Sequence, residues 1–379
     1  MGVLFKNTTE RTAVPFRYDV VGSFLRPRTL KEAREKFATG KIGRSELERV
    51  EDAEIEKLVA KQKELGLKSV TDGEFRRSYW HLDFFWGFEG VEHVMMEHGY
   101  FFHGEETRAD SARLSGKIRF TDHPFLAHYS FLKQTAGSDA IIRQTIPSPA
   151  QFFAELVRGI NEKEVDKHYP DREELYGDII IAYHKAILAF YELGCRNIQL
   201  DDCTWGMLCD QNFWTSMAGE GYDTNALQDL YLRLNNGAIA GLPEDLVVTT
   251  HICRGNYHST WATSGGYEPV AEKLFGQENV SAYYLEYDTE RAGDFSPLRY
   301  VSEGKLVVLG LISSKTGILE DKNAIIERIQ EATQYVSADR LCLSPQCGFA
   351  STEEGNILTE EQQWQKVEFV REIAKEVWR

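Results

Sequence analysis

The 379-residue sequence has no run of about 18 apolar residues, so nothing in it reads as a membrane-spanning helix. Its start, MGVLFKNTTERTAVPF, lacks the basic region and long apolar stretch of a secretory signal. Lys6 stands where a myristoylation signal needs Ser or Thr. These absences make the cytoplasm the expected location. Positive charge is also short. Against 59 Asp and Glu there are 43 Lys and Arg, a formal charge of −16. A field of that sign repels phosphate backbones, so nucleic acid is not an expected partner. No Pro/Gly/Ser-rich linker, low-complexity tract or short repeat divides the chain, and 1–379 reads as one domain. There are only six cysteines, and no secretory signal accompanies them. Reduced thiols, free for metal or catalytic work, are expected rather than disulfides.

What recurs is an apolar run, then a polar residue, then a helical segment. Eight runs have the length and composition of strands: 17–23 (RYDVVGS), 68–74 (KSVTDGE), 140–147 (AIIRQTIP), 196–202 (RNIQLDD), 246–253 (LVVTTHIC), 280–288 (VSAYYLEYD), 305–312 (KLVVLGLI) and 340–344 (RLCLS). Between them, apolar residues recur at 3.6-residue spacing. Leu47, Val50, Leu58 and Leu65 share one face, behind a capping box of Ser45 and Glu48. Leu175, Ile179, Tyr183, Ile187 and Phe190 share another, closed by Gly194. Thr359 and Gln362 box the start of a last helix whose stripe is Trp364, Val367, Val370, Ala374 and Val377. Strands alternating with helices imply a parallel sheet, and eight of them imply an α/β fold of the (β/α)8 TIM barrel type. An open doubly wound sheet is the alternative, but no Gly-x-Gly-x-x-Gly turn opens any helix.

One stretch breaks the rhythm. Residues 75–138 are too long for a loop and rich in aromatics, among them Tyr79, Trp80, Trp86, Tyr100, Phe101 and Phe102. They read as an insertion with a hairpin, packed over the mouth of the barrel after the second strand. An outer layer or the contact of a homodimer is its second reading.

The residue types that carry chemistry gather at strand ends. His251 and Cys253 are two apart, so on a strand both side chains point the same way. Cys347 follows the eighth run and Glu286 lies near the end of the sixth. In a barrel all strand C-termini ring one mouth, which would bring these four together. Thiolate, imidazole and carboxylate are the ligands that zinc accepts. Each also has a plainer reading. Cys347 serves as a small turn residue before Gly348, and Glu286 as a mouth carboxylate paired with an arginine. His258 lies in a loop past Gly255, where a solvated histidine is expected. Cys195, Cys203, Cys209 and Cys342 have no partner at ligand spacing and receive no role. Asp72, Glu74, Asp201 and Asp202 close the second and fourth runs. A ring of carboxylates suits a substrate ammonium, although Asp202 also suits a helix cap. At the end of the first run, Gly22 and Ser23 offer an amide and a hydroxyl to a carboxylate, or form a simple turn.

The segments DVVGSFLRP, VTDGEFRR, IQLDD, THIC, YYLEYD and SPQCGF, in this order, resemble the catalytic domain of cobalamin-independent methionine synthase. The resemblance runs over almost the whole chain, and HIC with the late PQCG is its most specific part. It implies a zinc-containing barrel that methylates homocysteine. Zinc ligands would be His251, Cys253, Glu286 and Cys347, and homocysteine contacts Ser23, Glu74 and Asp201. The donor would be methyltetrahydrofolate or a methyl-corrinoid protein. Two features depart from the family. Its full-length enzyme has two barrels and about twice this length. Its Asp-Ile-His-Ser-Pro motif after the seventh strand is replaced here by GLISSKTG, with Ser313 and Ser314 and no histidine. Related functions therefore stand beside the first: alkylation of another thiol, such as coenzyme M opened onto an epoxide, or a non-catalytic zinc-binding role in methionine metabolism. Arg26, Arg76 or Arg254 pointing inward would mark a sulfonate thiol, whereas Glu74 and Asp201 suit an amino acid.

Overall fold

The computed structural model describes residues 3–219, 221 and 223–378. Its barrel strands are buried along nearly their whole length, as expected where helices cover a parallel sheet, although several of them mix polar with apolar residues. We label them β1 (Ser69–Val70), β2 (Ile141–Ile142), β3 (Gln144–Pro147), β4 (Asn197–Asp201), β5 (Val247–Ile252), β6 (Ala282–Glu286), β7 (Leu306–Ile312) and β8 (Leu341–Pro345). Strands β3 to β8 form one six-stranded parallel sheet in chain order. Strand β1 pairs in parallel with β2. The ring closes through residues 17–23, which join β8 by a single parallel bridge, Tyr18 to Leu343, and the end of β1 by another, Ser23 to Gly73. The result is a (β/α)8 barrel with unequal pairing. Its first run forms no ladder, and its third is split in two at Arg143. The Arg143 guanidinium donates to the Val20 carbonyl and the Asp19 carboxylate instead.

The helices follow the apolar periodicity. Helix Arg172–Glu192 buries Leu175, Ile179, Tyr183, Ile187 and Phe190, and Gly194 follows it at φ +95°. Helix Glu360–Val377 starts on the Thr359–Gln362 capping box and buries Val367, Val370, Ala374 and Val377. The expected box of Ser45 and Glu48 does not form. That helix, Arg44–Glu64, begins one residue before Ser45 with Gly43 at its N-cap, so Ser45 lies inside the first turn. No helix among the described residues is long and apolar enough to cross a membrane.

Within 75–138, strand Glu89–Met95 pairs antiparallel with Asp110–Arg119, and helix Pro124–Ala136 follows. Phe85 packs on Phe152 at 4.6 Å and Phe88 on Tyr183 at 5.4 Å between ring centroids. Burial of each such ring contributes about 1.5–3 kcal/mol. These contacts pin the segment to the helices that follow β3 and precede β4.

Candidate metal centre and substrate cavity

Strand β5 carries His251, and Cys253 follows it immediately. The register sets Asp201 of β4 and Tyr284 of β6 on either side of His251. The His251 Nδ1–H donates to the Tyr284 carbonyl at 3.2 Å. That bond fixes the tautomer and leaves the Nε2 lone pair free, 3.4 Å from Cys347 Sγ. Cys347 arrives two residues beyond β8. The donor atoms of His251, Cys253 and Cys347 all lie within 4.8 Å of one another, and all three residues are buried. Hydrogen bonds from Cys203 and Cys347 hold the Cys253 thiol well below its ordinary pKa, against the effect of burial. The hydrogen bond with Cys253, then burial, pushes the Cys347 thiol up. An imidazole and two thiols at this spacing fit zinc, which takes such nitrogen and sulfur donors.

Glu286 lies outside that set and does not line the cavity above it. Its Oε2 accepts the Arg254 backbone N–H at 2.8 Å, and its Oε1 pairs with Arg291 at 2.6 Å and Lys315 at 3.5 Å. Asp288 shares the same two cations. The carboxylate is therefore paired by its own loop and by the GLISSKTG stretch at 310–317. Within that stretch, the Ser314 hydroxyl donates to the Gly348 carbonyl at 2.8 Å.

On the other side of the set stand Ser23, Glu74 and Asp201, all buried. Glu74 has a left-handed φ of +62°, a strained conformation for a side-chain-bearing residue. Its Oε1 accepts from the Thr145 hydroxyl at 3.0 Å and pairs with Arg77 at 3.3 Å, while Oε2 has no hydrogen-bond partner. Burial raises its pKa, against the pull of Arg77 and Arg26. Asp201 accepts from the Gln199 amide at 2.8 Å. Burial, with Glu74 adding to it and His251 opposing, lifts its pKa to about 7. Ser23 approaches the loop after β8 so closely that a Cβ on Gly348 would stand 1.9 Å from its hydroxyl, so only glycine fits there. Asp72 and Asp202 are used locally: Asp72 accepts the Glu74 N–H, and Asp202 the Thr204 N–H, each at 2.9 Å.

Ser23, Glu74, Asp201, His251, Cys253 and Cys347 all line one cavity of about 1310 Å³. Its upper wall includes Trp80, His81 and Tyr100–Phe102 of the 75–138 segment. Arg26, Arg76 and Arg254 do not line it. Arg26 binds the Ala350 and Glu74 carbonyls, Arg76 pairs with Glu51 and Asp52, and Arg254 donates to the Gly265 carbonyl. The arginines that do line it, Arg158, Arg172 and Arg233, are each paired with a carboxylate. His258 lies 3.3 Å from Glu105 with a 42% exposed side chain. Sequence reasoning missed Cys203, which lines the cavity with its Sγ 3.5 Å from Cys253 Sγ. The signal was available, since Cys203 stands just past the fourth run, where the strand-end argument reaches it.

The family model for the catalytic domain of cobalamin-independent synthase matches residues 16–91. YxjH of Bacillus subtilis, an uncharacterized protein, is 48% identical over 375 residues, covering 99% of this chain and 98% of its own. A solved structure from Listeria monocytogenes, named for a vitamin-B12 independent methionine synthase, is 42% identical. The match covers 97% of this chain and 100% of that one, with a TM-score of 0.77. The chain belongs to the cobalamin-independent methionine synthase family. The methionine synthase fold extends further. A B12-independent methionine synthase from Shewanella sp. W3-18-1, solved with selenomethionine, matches at 18% identity and a TM-score of 0.70 over 95% of this chain and 96% of that one. The methionine synthase family is one of methyltransferases, and this chain is a short member of it.

Proposed function

We propose that the chain is a zinc-dependent methyltransferase that transfers a methyl group to the thiol of homocysteine, giving methionine. The observation that carries this reading is the joint placement of two different groups in one cavity: a nitrogen–sulfur donor set, and a carboxylate pair with no free arginine beside it. The carboxylates select an amino-acid ammonium and disfavour a sulfonate thiol such as coenzyme M. The selenomethionine in the Shewanella protein, a close analogue of methionine, supports the same substrate class.

His251, Cys253 and Cys347 would hold zinc. When bound, zinc keeps a substrate sulfur deprotonated near neutral pH, where a free thiol of pKa about 8.5 is mostly protonated. Glu74 and Asp201 receive the ammonium, and Ser23 the carboxylate, so the thiol is aimed at the donor set. A methyl carbon bound in the rest of the cavity then forms its bond to sulfur as its bond to the donor breaks. The segment 75–138 covers this space, and its aromatic wall keeps water out. On this reading the barrel and its cover work as one catalytic unit in the cytoplasm. Methyltetrahydrofolate and a methyl-corrinoid protein are the two donors to compare. The first has an amine leaving group that needs a proton, and Ser313 and Ser314 offer no imidazole to supply one. A non-catalytic zinc role is disfavoured because the donor set faces the cavity, whereas structural zinc sites are closed.

Purified, zinc-loaded protein should convert homocysteine to methionine with one of the two donors and leave coenzyme M unreacted. Alkylation of coenzyme M with homocysteine inert would overturn the substrate assignment. Loss of both reactions with zinc fully bound would overturn the enzymatic one.

A further inference from the structure

Thr145 on β3 and Gln199 on β4 are register partners, and both are buried. Neither lines the cavity, so neither touches what fills it. Each instead ends on a carboxylate that does. The Thr145 hydroxyl lies 3.0 Å from Glu74 Oε1 and 2.9 Å from Arg77 Nη2. A guanidinium only donates, so the hydroxyl accepts from Arg77 and turns its own proton to Glu74. Arg77 pairs with the same oxygen, and Oε2 is left without a partner. The Gln199 amide nitrogen lies 2.8 Å from Asp201 Oδ1 and 2.7 Å from the Val21 carbonyl. Both oxygens accept, so they take both amide hydrogens and fix the orientation of the side chain. Its own Oε1 is buried without a partner, a cost that leucine at this place would avoid.

The same two residues reach the run that carries Ser23. Gln199 holds the Val21 carbonyl, and a Cβ on Gly22 would stand 2.9 Å from Thr145 Cγ2, so the run passes hard against β3 and β4. The backbone of that run meets its neighbours only by single bridges. Side chains from one rung of the sheet therefore supply what its ladder lacks.

Resting on the homocysteine reading above, we infer that Thr145 and Gln199 are positioning residues for the substrate's amino-acid end: they orient the Glu74 and Asp201 carboxylates and seat the run that carries Ser23. They act on the substrate only through these three residues. Being neutral, they aim the carboxylates and add no countercharge, which leaves the negative charge for an ammonium.

The test is calorimetric titration of the full-length zinc-loaded protein with two thiols. Homocysteine carries both charged groups, and propanethiol has the same sulfur arm with neither. Thr145→Val keeps the methyl against Gly22 and removes only the hydroxyl. This variant and Gln199→Leu should each weaken homocysteine binding roughly 10-fold, with zinc content and propanethiol affinity at wild type. Thr145→Ser, which restores the hydroxyl, should bind homocysteine within about 2-fold of wild type, and Thr145→Val should add less than about 2-fold in a Glu74→Gln background. Gln199→Met repeats the measurement should leucine not fold, and the Thr145 valine and serine variants decide independently of it. Unchanged homocysteine affinity in the single variants would overturn the inference. So would equal losses for both thiols, or a full effect of Thr145→Val without the Glu74 carboxylate. Wild-type protein that binds homocysteine no more tightly than propanethiol defeats the amino-acid reading on which this one rests.

Discussion

Two clusters of buried polar residues lie a few residues apart along the same strands, and they are finished differently. In the deeper one, the Arg143 guanidinium donates to the Asp19 carboxylate, the Val20 carbonyl and the Tyr284 hydroxyl, and that hydroxyl donates to Asp19 at 2.8 Å. Charge meets countercharge. In the upper one, sulfur meets sulfur and the imidazole lone pair, and Glu74 Oε2 meets no donor. Both clusters are buried. The difference shows that burial of polarity alone does not mark a site. The mark is convergence of donors and charges that the protein itself leaves unbalanced, because only these have use for an ion or a substrate.

The comparison breaks most visibly at the sulfurs. Cys253→Ser combined with Cys347→Ser should reduce zinc to a trace and methyl transfer to background, with circular dichroism unchanged. Elemental analysis checks this, and full zinc content in the double variant would count against the donor set. The deeper cluster should respond in the opposite sense. Arg143→Met leaves the Asp19 charge buried without its partner and should cost about 3–5 kcal/mol in urea unfolding, while zinc content stays at wild type. Third, Asp201→Asn removes a charge-assisted contact of about 1.5–3 kcal/mol and should weaken homocysteine binding roughly 10- to 100-fold, with zinc retained. Asp201 has a pKa of about 7. Wild-type affinity should therefore rise as pH increases through that value and Asp201 ionises, and the rise due to Asp201 should vanish in the variant.

A further effect concerns Glu278, whose pKa is raised to about 8 by burial and then by Asp202. The folded chain keeps this proton between the unfolded value of about 4.3 and that pKa, so it binds more protons than the unfolded chain. Stability is therefore lost as pH rises through this window. Glu278→Gln should make the decline of the urea midpoint between about pH 5 and 8 shallower.

Periodicity made the helices legible, and the strand ends made the donor set so. His251 and Cys253 are linked by a two-residue repeat, which a strand converts directly into a shared direction. Cys347 was reachable because a barrel gathers all strand ends. What periodicity does not encode is pairing between loops. Arg291 and Lys315 reach Glu286 from two separate segments that both follow it in sequence, and nothing in either announces the contact. Likewise, Cys203 has no ligand-type neighbour at motif spacing, and its relation to Cys253 exists only across two adjacent strands. The run 17–23 had strand composition but pairs by single bridges, since Arg143 spends its side chain on Val20 and Asp19 there. Ser45 was misread as a cap by two residues, because Gly43 could begin the helix as well.

That uneven pairing divides the site mechanically. The sulfurs, His251 and Asp201 are carried on, or just beyond, strands of the six-stranded sheet, whereas Ser23 lies on a run stitched by one bridge on each side and Glu74 just beyond β1, whose ladder with β2 spans only two residue pairs. The ladder of the sheet resists breathing, and the seam does not share it. Backbone amides of 17–23 and 69–74 should accordingly exchange with deuterium ahead of those in β4 to β8. On the proposed reading, Ser23 and Glu74 can then loosen and reclose around each substrate, while Asp201 and the His251, Cys253 and Cys347 set stay still.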